Sequence, residues 1–237
     1  MSDIQVDVPT ATVVTLNPIR KAIADRMVLS KTTIPHAYVV MDVDMTAALA
    51  FREAFNAAAA GVRLSVNDLV IKASALALRQ VPAMNATFED GAVHLQPEVN
   101  VGVVVAIEGD QGILVPVLPR TDTLALAAMS TEMRARAELA RKKRLRARDS
   151  MGGTFTISNV GMFGAKYLIA VVQPPQVGIL GVGAVTKVPA IENDQVTVKS
   201  VMGVTLSFDH RAVDGAVAAK FLAAFAEILR EPAQLEA

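Results

Sequence analysis

Toward its C-terminal end the chain carries two long runs dominated by Val, Ile, Leu and Gly, residues 178–188 and 196–208, on either side of an Asn193-Asp194 pair. Apolar, β-branched runs bounded by such a pair form two strands of an antiparallel hairpin. Strands joined by a tight turn exclude a doubly wound, wholly parallel sheet, in which a crossover must separate consecutive strands.

The rest of the chain interleaves helices with shorter strands. Asn17 followed by Pro18 is a helix start, with Ile19, Ile23 and Met27 at helical spacing behind it. Residues 36–45 alternate as a strand that sets Asp42 and Asp44 on one face. A helix is predicted over about 46–60, and another from Ser65 to about Gln80, with Asp68 as its capping-box partner. Strands are predicted at 83–88 and 93–95 around a Glu89-Asp90-Gly91 turn, at 99–107, at 113–118 and at 154–158. A long helix is predicted over about 123–143. The closing helix repeats Val217, Phe221, Phe225 and Ile228 on one face. The expected fold class is α/β: a single mixed-sheet domain with helices packed on it, spanning 17–237. Residues 1–16 lack periodicity and read as a flexible lead-in or linker remnant.

Composition removes several kinds of function. Apolar residues make up 52% and charged residues 19%, which describes a chain with a large core. Lys plus Arg equal Asp plus Glu at 23 each, so nothing points to nucleic acid. With no cysteine there is no disulfide, thiolate metal site or cysteine nucleophile. No cluster of His, Asp and Glu has ligand spacing, so no metal is expected. The N-terminus has no secretory pattern and no run is long enough to span a bilayer, so the expected location is cytoplasmic, with no membrane partner. The apolar surplus also implies surface buried against other subunits.

Three histidines and one serine are candidates for chemistry. His94 beside the hairpin turn reads as a surface residue, and His36 at a strand start reads as structural. His210 lies in SFDHRAVDG, where an apolar strand gives way to a helix, among Asp209, Arg211 and Asp214. An imidazole in an ordered carboxylate setting is suited to taking a proton from a thiol or hydroxyl. Ser158 lies in GGTFTISNVGMFG, where a strand runs into a Gly-rich turn. It has no GxSxG elbow, so a donor to an oxyanion is a better functional reading than a nucleophile; a plain turn residue is the alternative. The basic run 141–148 reads as the solvated end of a helix, and the glycines of VGILGVGAV as tight packing in a buried strand, since no G-x-G-x-x-G order is present.

Five blocks, NPIRKAIADRM, SVNDLVIKASALALRQVPAMNA, GGTFTISNVGMFG, PPQVGILGVGA and SFDHRAVDG, occur in the order found in the catalytic domains of dihydrolipoamide acyltransferases of 2-oxo acid dehydrogenase complexes. The chain resembles that family over about residues 17–231. The resemblance implies a chloramphenicol-acetyltransferase-like fold, assembly as trimers with active sites at subunit boundaries, and acyl transfer between a dihydrolipoyl thiol and coenzyme A. It places His210 on the general base, Ser158 on the hydroxyl that holds the tetrahedral oxyanion, and Asp214 on the aspartate supporting the site through Arg20 or Arg26. Asn159, Gly161, Met162 and Phe163 are implied as pocket lining. Ser158 within TFTISN, together with SFDHR, resembles acetyl- and branched-chain-specific members more than succinyl-specific ones, and acetyl is the expected acyl group.

Family members carry lipoyl and subunit-binding domains ahead of this one. Neither lies within this sequence, so either they were removed or the chain acts on lipoyl domains carried elsewhere; the lipoyl group is expected on a separate domain, and the partners are that domain and the other complex components. The chain ends PAQLEA where cage-forming relatives finish in a leucine-rich tail, so a homotrimer is expected and a higher cage is left open. Two other readings remain at this level: a non-catalytic scaffold core of such a complex, and a coenzyme-A-dependent acyltransferase with a different acceptor.

Overall fold

The computed structural model describes residues 11, 13–58, 61–107, 109 and 112–236. Most of the expected lead-in, 1–10 and 12, therefore lies outside the described residues, as do the last two positions of the helix expected over 46–60. In chain order the elements are α1 (Pro18–Thr33), β1 (His36–Asp44), α2 (Thr46–Ala58), α3 (Val66–Gln80), β2 (Ala86–Glu89), β3 (Ala92–Leu95), β4 (Val101–Val103), β5 (Val105–Ala106), β6 (Ile113–Leu114), β7 (Val117–Leu118), α4 (Leu126–Arg141), β8 (Phe155–Asn159), β9 (Gly178–Glu192), β10 (Gln195–Asp209) and α5 (Gly215–Arg230).

Six strands make one mixed sheet in the order β1-β10-β9-β8-β4-β7. β8 runs parallel to both β9 and β4, and the remaining neighbours are antiparallel. The long β9–β10 hairpin is its centre. Asn193 and Asp194 both take positive φ at its turn, a conformation Asn and Asp tolerate better than most residues. The β2–β3 hairpin turns in the same way at Asp90 and Gly91.

Local signals set the helix starts. The Asn17 side chain accepts from Arg20 N at 2.8 Å, and Ser65 and Asp68 close a reciprocal capping box. α3 and α5 cover one face of the sheet, and α5 contributes Phe221, Leu222, Phe225, Ile228 and Leu229 to the main core. Each such side chain is worth about 1.5–3 kcal/mol when fully buried. The opposite face is covered by α1 and by a strap of non-regular chain, residues 164–177. A second, smaller core forms there from Ile34, Ala170, Val172 and Ile179.

Four expected elements differ. The strand predicted over 99–107 divides into β4 in the main sheet and β5 in a separate ribbon with β6, because the Val104 amide donates to Ile157 O at 2.9 Å. The strand predicted over 113–118 divides into β6 and β7 at Val115-Pro116, where proline offers no donor to a ladder. The strand predicted from residue 83 starts at Ala86, since Pro82–Met84 is a 3₁₀ turn. The helix predicted from 123 starts at Leu126, after a separate 3₁₀ turn at Thr121–Thr123. That turn is pinned from below by Lys72, fully buried in α3, whose ammonium donates to Asp122 O and Leu124 O, each at 2.8 Å. The basic run after α4 is exposed apart from a half-buried Leu145, as expected of a solvated helix end.

Candidate active site

His210 is held by its neighbours rather than by bonds to its own ring. It follows the last residue of β10, and its backbone N donates to Pro35 O at 3.1 Å. Asp209 is buried and accepts from Arg211 Nε at 2.9 Å, Arg211 Nη2 at 2.6 Å and the Arg211 backbone N at 3.0 Å. The Arg211 guanidinium lies over the Phe88 ring, 4.1 Å from its centroid. The Asp209 carboxylate holds the Arg211 pKa above the usual guanidinium range. The clamp closes around His210, whose imidazole is exposed and makes no hydrogen bond among the described residues. Its ring packs against Phe208, with centroids 5.8 Å apart. The sequence offered this clamp as charges flanking a histidine, but not which carboxylate would take the arginine.

Asp214 caps α5: its side chain accepts from Val217 N at 2.9 Å. It touches neither Arg20 nor Arg26 within the described chain. Arg26 is taken up by Pro174 O at 2.7 Å, because α1 lies along the strap. The support expected through an arginine is thus replaced, within one chain, by capping of the helix that follows His210.

His36 is a structural pin, in keeping with its reading from sequence. Its Nδ1 lies 2.9 Å from Ile34 O and its Nε2 accepts from Val172 N at 3.1 Å, a pattern that requires the neutral ring with the proton on Nδ1. Burial lowers its pKa below 6.5. His94 is exposed on β3.

Ser158 lies on β8 opposite Gly181 of β9, which pairs in turn with Thr205 of β10. Phe155 and Ile157 point into the main core, so Ser158 points to the strap face. Its hydroxyl is half-buried and makes no hydrogen bond among the described residues. The strap passes directly over β9 here. A Cβ on Gly181 would overlap Leu168 O, and one on Gly183 would overlap Lys166 O. These two glycines therefore permit backbone-to-backbone approach beside Ser158, the tight packing expected of them.

The four expected lining residues separate. Asn159 and Met162 border a cleft of about 500 Å³ between α3, α4 and β5, with Arg134 and Arg141 at its rim. Gly161 is packed on Gly183 O, and Phe163 is 80% exposed. Ser158 and His210 do not meet in one chain. Two strand spacings and five residues of β10 separate them, roughly 15–20 Å.

Residues 8–237 match the catalytic domain of the 2-oxoacid dehydrogenases acyltransferase family. The chain belongs to that family. A relative in Zymomonas mobilis, the dihydrolipoyllysine-residue acetyltransferase component of its pyruvate dehydrogenase complex, is 41% identical over 92% of this chain and 49% of its own. This family member spans about half the length of the curated relatives it matches. The structure of the dihydrolipoamide acetyltransferase of Azotobacter vinelandii, investigated for the role of a serine, a histidine and an asparagine in its catalytic mechanism, superposes with a TM-score of 0.91 at 31% identity, covering 95% of this chain and 94% of that one. Chloramphenicol acetyltransferase shares the fold, with a TM-score of 0.58 at 14% identity over 86% of this chain and 94% of that one.

Proposed function

We propose that the chain is the catalytic domain of a dihydrolipoamide acetyltransferase, moving an acetyl group between a dihydrolipoyl thiol and coenzyme A. The carrying observation is that Ser158, His210 and Asp214 have the same separations in sequence as the serine, histidine and asparagine investigated in the Azotobacter enzyme. An aspartate stands here for the asparagine, and both side chains can cap a helix.

In the proposed reaction the His210 imidazole takes the proton of the coenzyme A thiol, and the thiolate attacks the carbonyl carbon of the acetyl-dihydrolipoyl thioester. A thiol of pKa about 8.5 is within reach of an imidazole base. The C=O electron pair moves onto oxygen, and that oxyanion accepts a hydrogen bond from the Ser158 hydroxyl. As the carbonyl re-forms, the C–S bond to the dihydrolipoyl sulfur breaks and that sulfur takes the proton back from His210. No acyl-enzyme forms, which suits a serine with no base hydrogen-bonded to it among the described residues.

The separation of Ser158 from His210 supports a site completed between subunits, with His210 of one copy facing Ser158 of the next in a homotrimer. Exposed apolar side chains on the strap side, among them Val28, Val40, Phe163 and Ile169, support the same packing. The lipoyl group would arrive on a separate domain, with other 2-oxo acid dehydrogenase components as partners in the cytoplasm.

The test is acetyl transfer from acetyl-coenzyme A to dihydrolipoamide by wild type, His210→Ala and Ser158→Ala. His210→Ala is expected to be inactive and Ser158→Ala slower by about 10²–10³ in kcat. Activity unchanged in His210→Ala would remove the mechanism. His210→Ala co-expressed with Ser158→Ala at equal levels, so that the two assemble together at random, should regain about one quarter of wild-type activity at hybrid boundaries in a cyclic assembly. Activity no greater than the average of the two variants would rule out the shared site.

A further inference from the structure

The Ser158 hydroxyl has no hydrogen-bond partner among the described residues, so something else must fix the end of the strand that carries it. Asn159 is the last residue of β8. With Phe155 and Ile157 it belongs to the helix side of the sheet, opposite to Ser158. Its amide makes two bonds of different kinds. Nδ2 donates to Asn67 Oδ1 at 3.0 Å, and Oδ1 accepts from the Gly161 backbone N at 2.8 Å.

Both anchors are rigid. Asn67 is the second residue of α3, enclosed within the Ser65–Asp68 capping box, in which Asp68 Oδ2 accepts from Ser65 N at 2.7 Å. Gly161 opens the 3₁₀ turn after β8, and a Cβ there would stand 2.7 Å from Gly183 O, so the turn is pressed onto β9. The strand end is thus tied to a capped helix on one side and to its own turn on the other. Such an amide, bonding forward to the backbone two residues on, stops a strand at a defined residue.

We propose that Asn159 is a positioning residue, which sets the direction of the Ser158 hydroxyl by bolting the end of β8 to Asn67 of α3. The inference rests on the reading of Ser158 as the oxyanion donor. An oxyanion donor needs placement to a few tenths of an ångström, and a misplacement near 1 Å reduces rate by about 10²-fold. Asn159 reaches no reacting atom itself, because its side chain and that of Ser158 leave opposite faces of the sheet. Its contribution must therefore pass through Ser158 and vanish when that hydroxyl is gone.

The experiment is a double-mutant cycle on the assembled protein, with kcat and the KM for coenzyme A read for wild type, Ser158→Ala, Asn159→Ala, Asn67→Ala and the two doubles. Asn159→Ala and Asn67→Ala are each expected to lower kcat by about 10-fold or more with KM changed by less than about 3-fold. In the Ser158→Ala background each should change kcat by less than about 2-fold. Asn67→Ala leaves the Asn159–Gly161 bond in place, so it reads the tether even where Asn159→Ala does not fold. Full additivity of the tether variants with Ser158→Ala would overturn the proposal, as would a wild-type kcat in Asn67→Ala. A wild-type kcat in Ser158→Ala would instead refute the oxyanion reading, a different and separable failure.

Discussion

Gly181 gives the sharpest test of how packing controls the site. It faces Ser158 across the β8–β9 ladder, and its missing side chain is filled by the Leu168 carbonyl of the strap. In Gly181→Ala the new methyl would need the strap or β9 to move by about 1.5 Å before Cβ and oxygen stand at contact distance. Nothing flexible can yield, because the obstacle is backbone. Overpacking of this kind costs about 1–3 kcal/mol, and a backbone obstacle belongs at the upper end. Alanine returns about 0.5–1 kcal/mol through a less disordered unfolded chain, since the Gly181 φ is not in the left-handed region. The net expectation is a loss of about 2 kcal/mol in urea unfolding. Because the displacement occurs beside Ser158, kcat for the proposed acetyl transfer should fall by about 10²-fold in protein that is still folded. Sedimentation run alongside separates this from loss of assembly. A variant with wild-type midpoint, assembly and kcat would refute the idea that the strap rests on bare backbone at this position.

Other expectations concern the clamps around the site. Asp214→Ala removes the α5 cap and should lower stability by about 1 kcal/mol, whereas Asp214→Asn keeps a capping oxygen and should stay within about 0.5 kcal/mol of wild type; equal losses in urea would show that charge, not the cap, matters. His36 has a lowered pKa, so its contribution to stability is full above pH 6.5 and is lost as pH falls from there through the folded-state value. In unfolding curves between pH 7 and 5, His36→Gln should show a shallower pH dependence than wild type; identical slopes would exclude the neutral pin. Lys72→Met leaves the Asp122 and Leu124 carbonyls unpaired and should lose about 2–3 kcal/mol, offset in part by removing a buried charge; an unchanged urea midpoint would mean water replaces the ammonium.

The chain's own letters determined what is decided within a few residues. The starts of α1 and α3 follow from Asn17-Pro18 and from Ser65 with Asp68, and both hairpin turns lie at residues suited to positive φ, because caps and turns satisfy backbone groups locally. The apolar stripe of α5 was legible for the same reason: helical spacing puts Phe221, Phe225 and Ile228 on one face wherever the helix docks. The motif residues were legible as letters, but their roles within a chain were not. Only the tertiary structure divided 99–107 between two sheets, ran the strap across Gly181 and Gly183, gave Arg211 to Asp209, and set Ser158 about 15–20 Å from His210. Strand order and backbone approach depend on hydrogen bonds between segments far apart in the chain, and no local pattern encodes which segments those are.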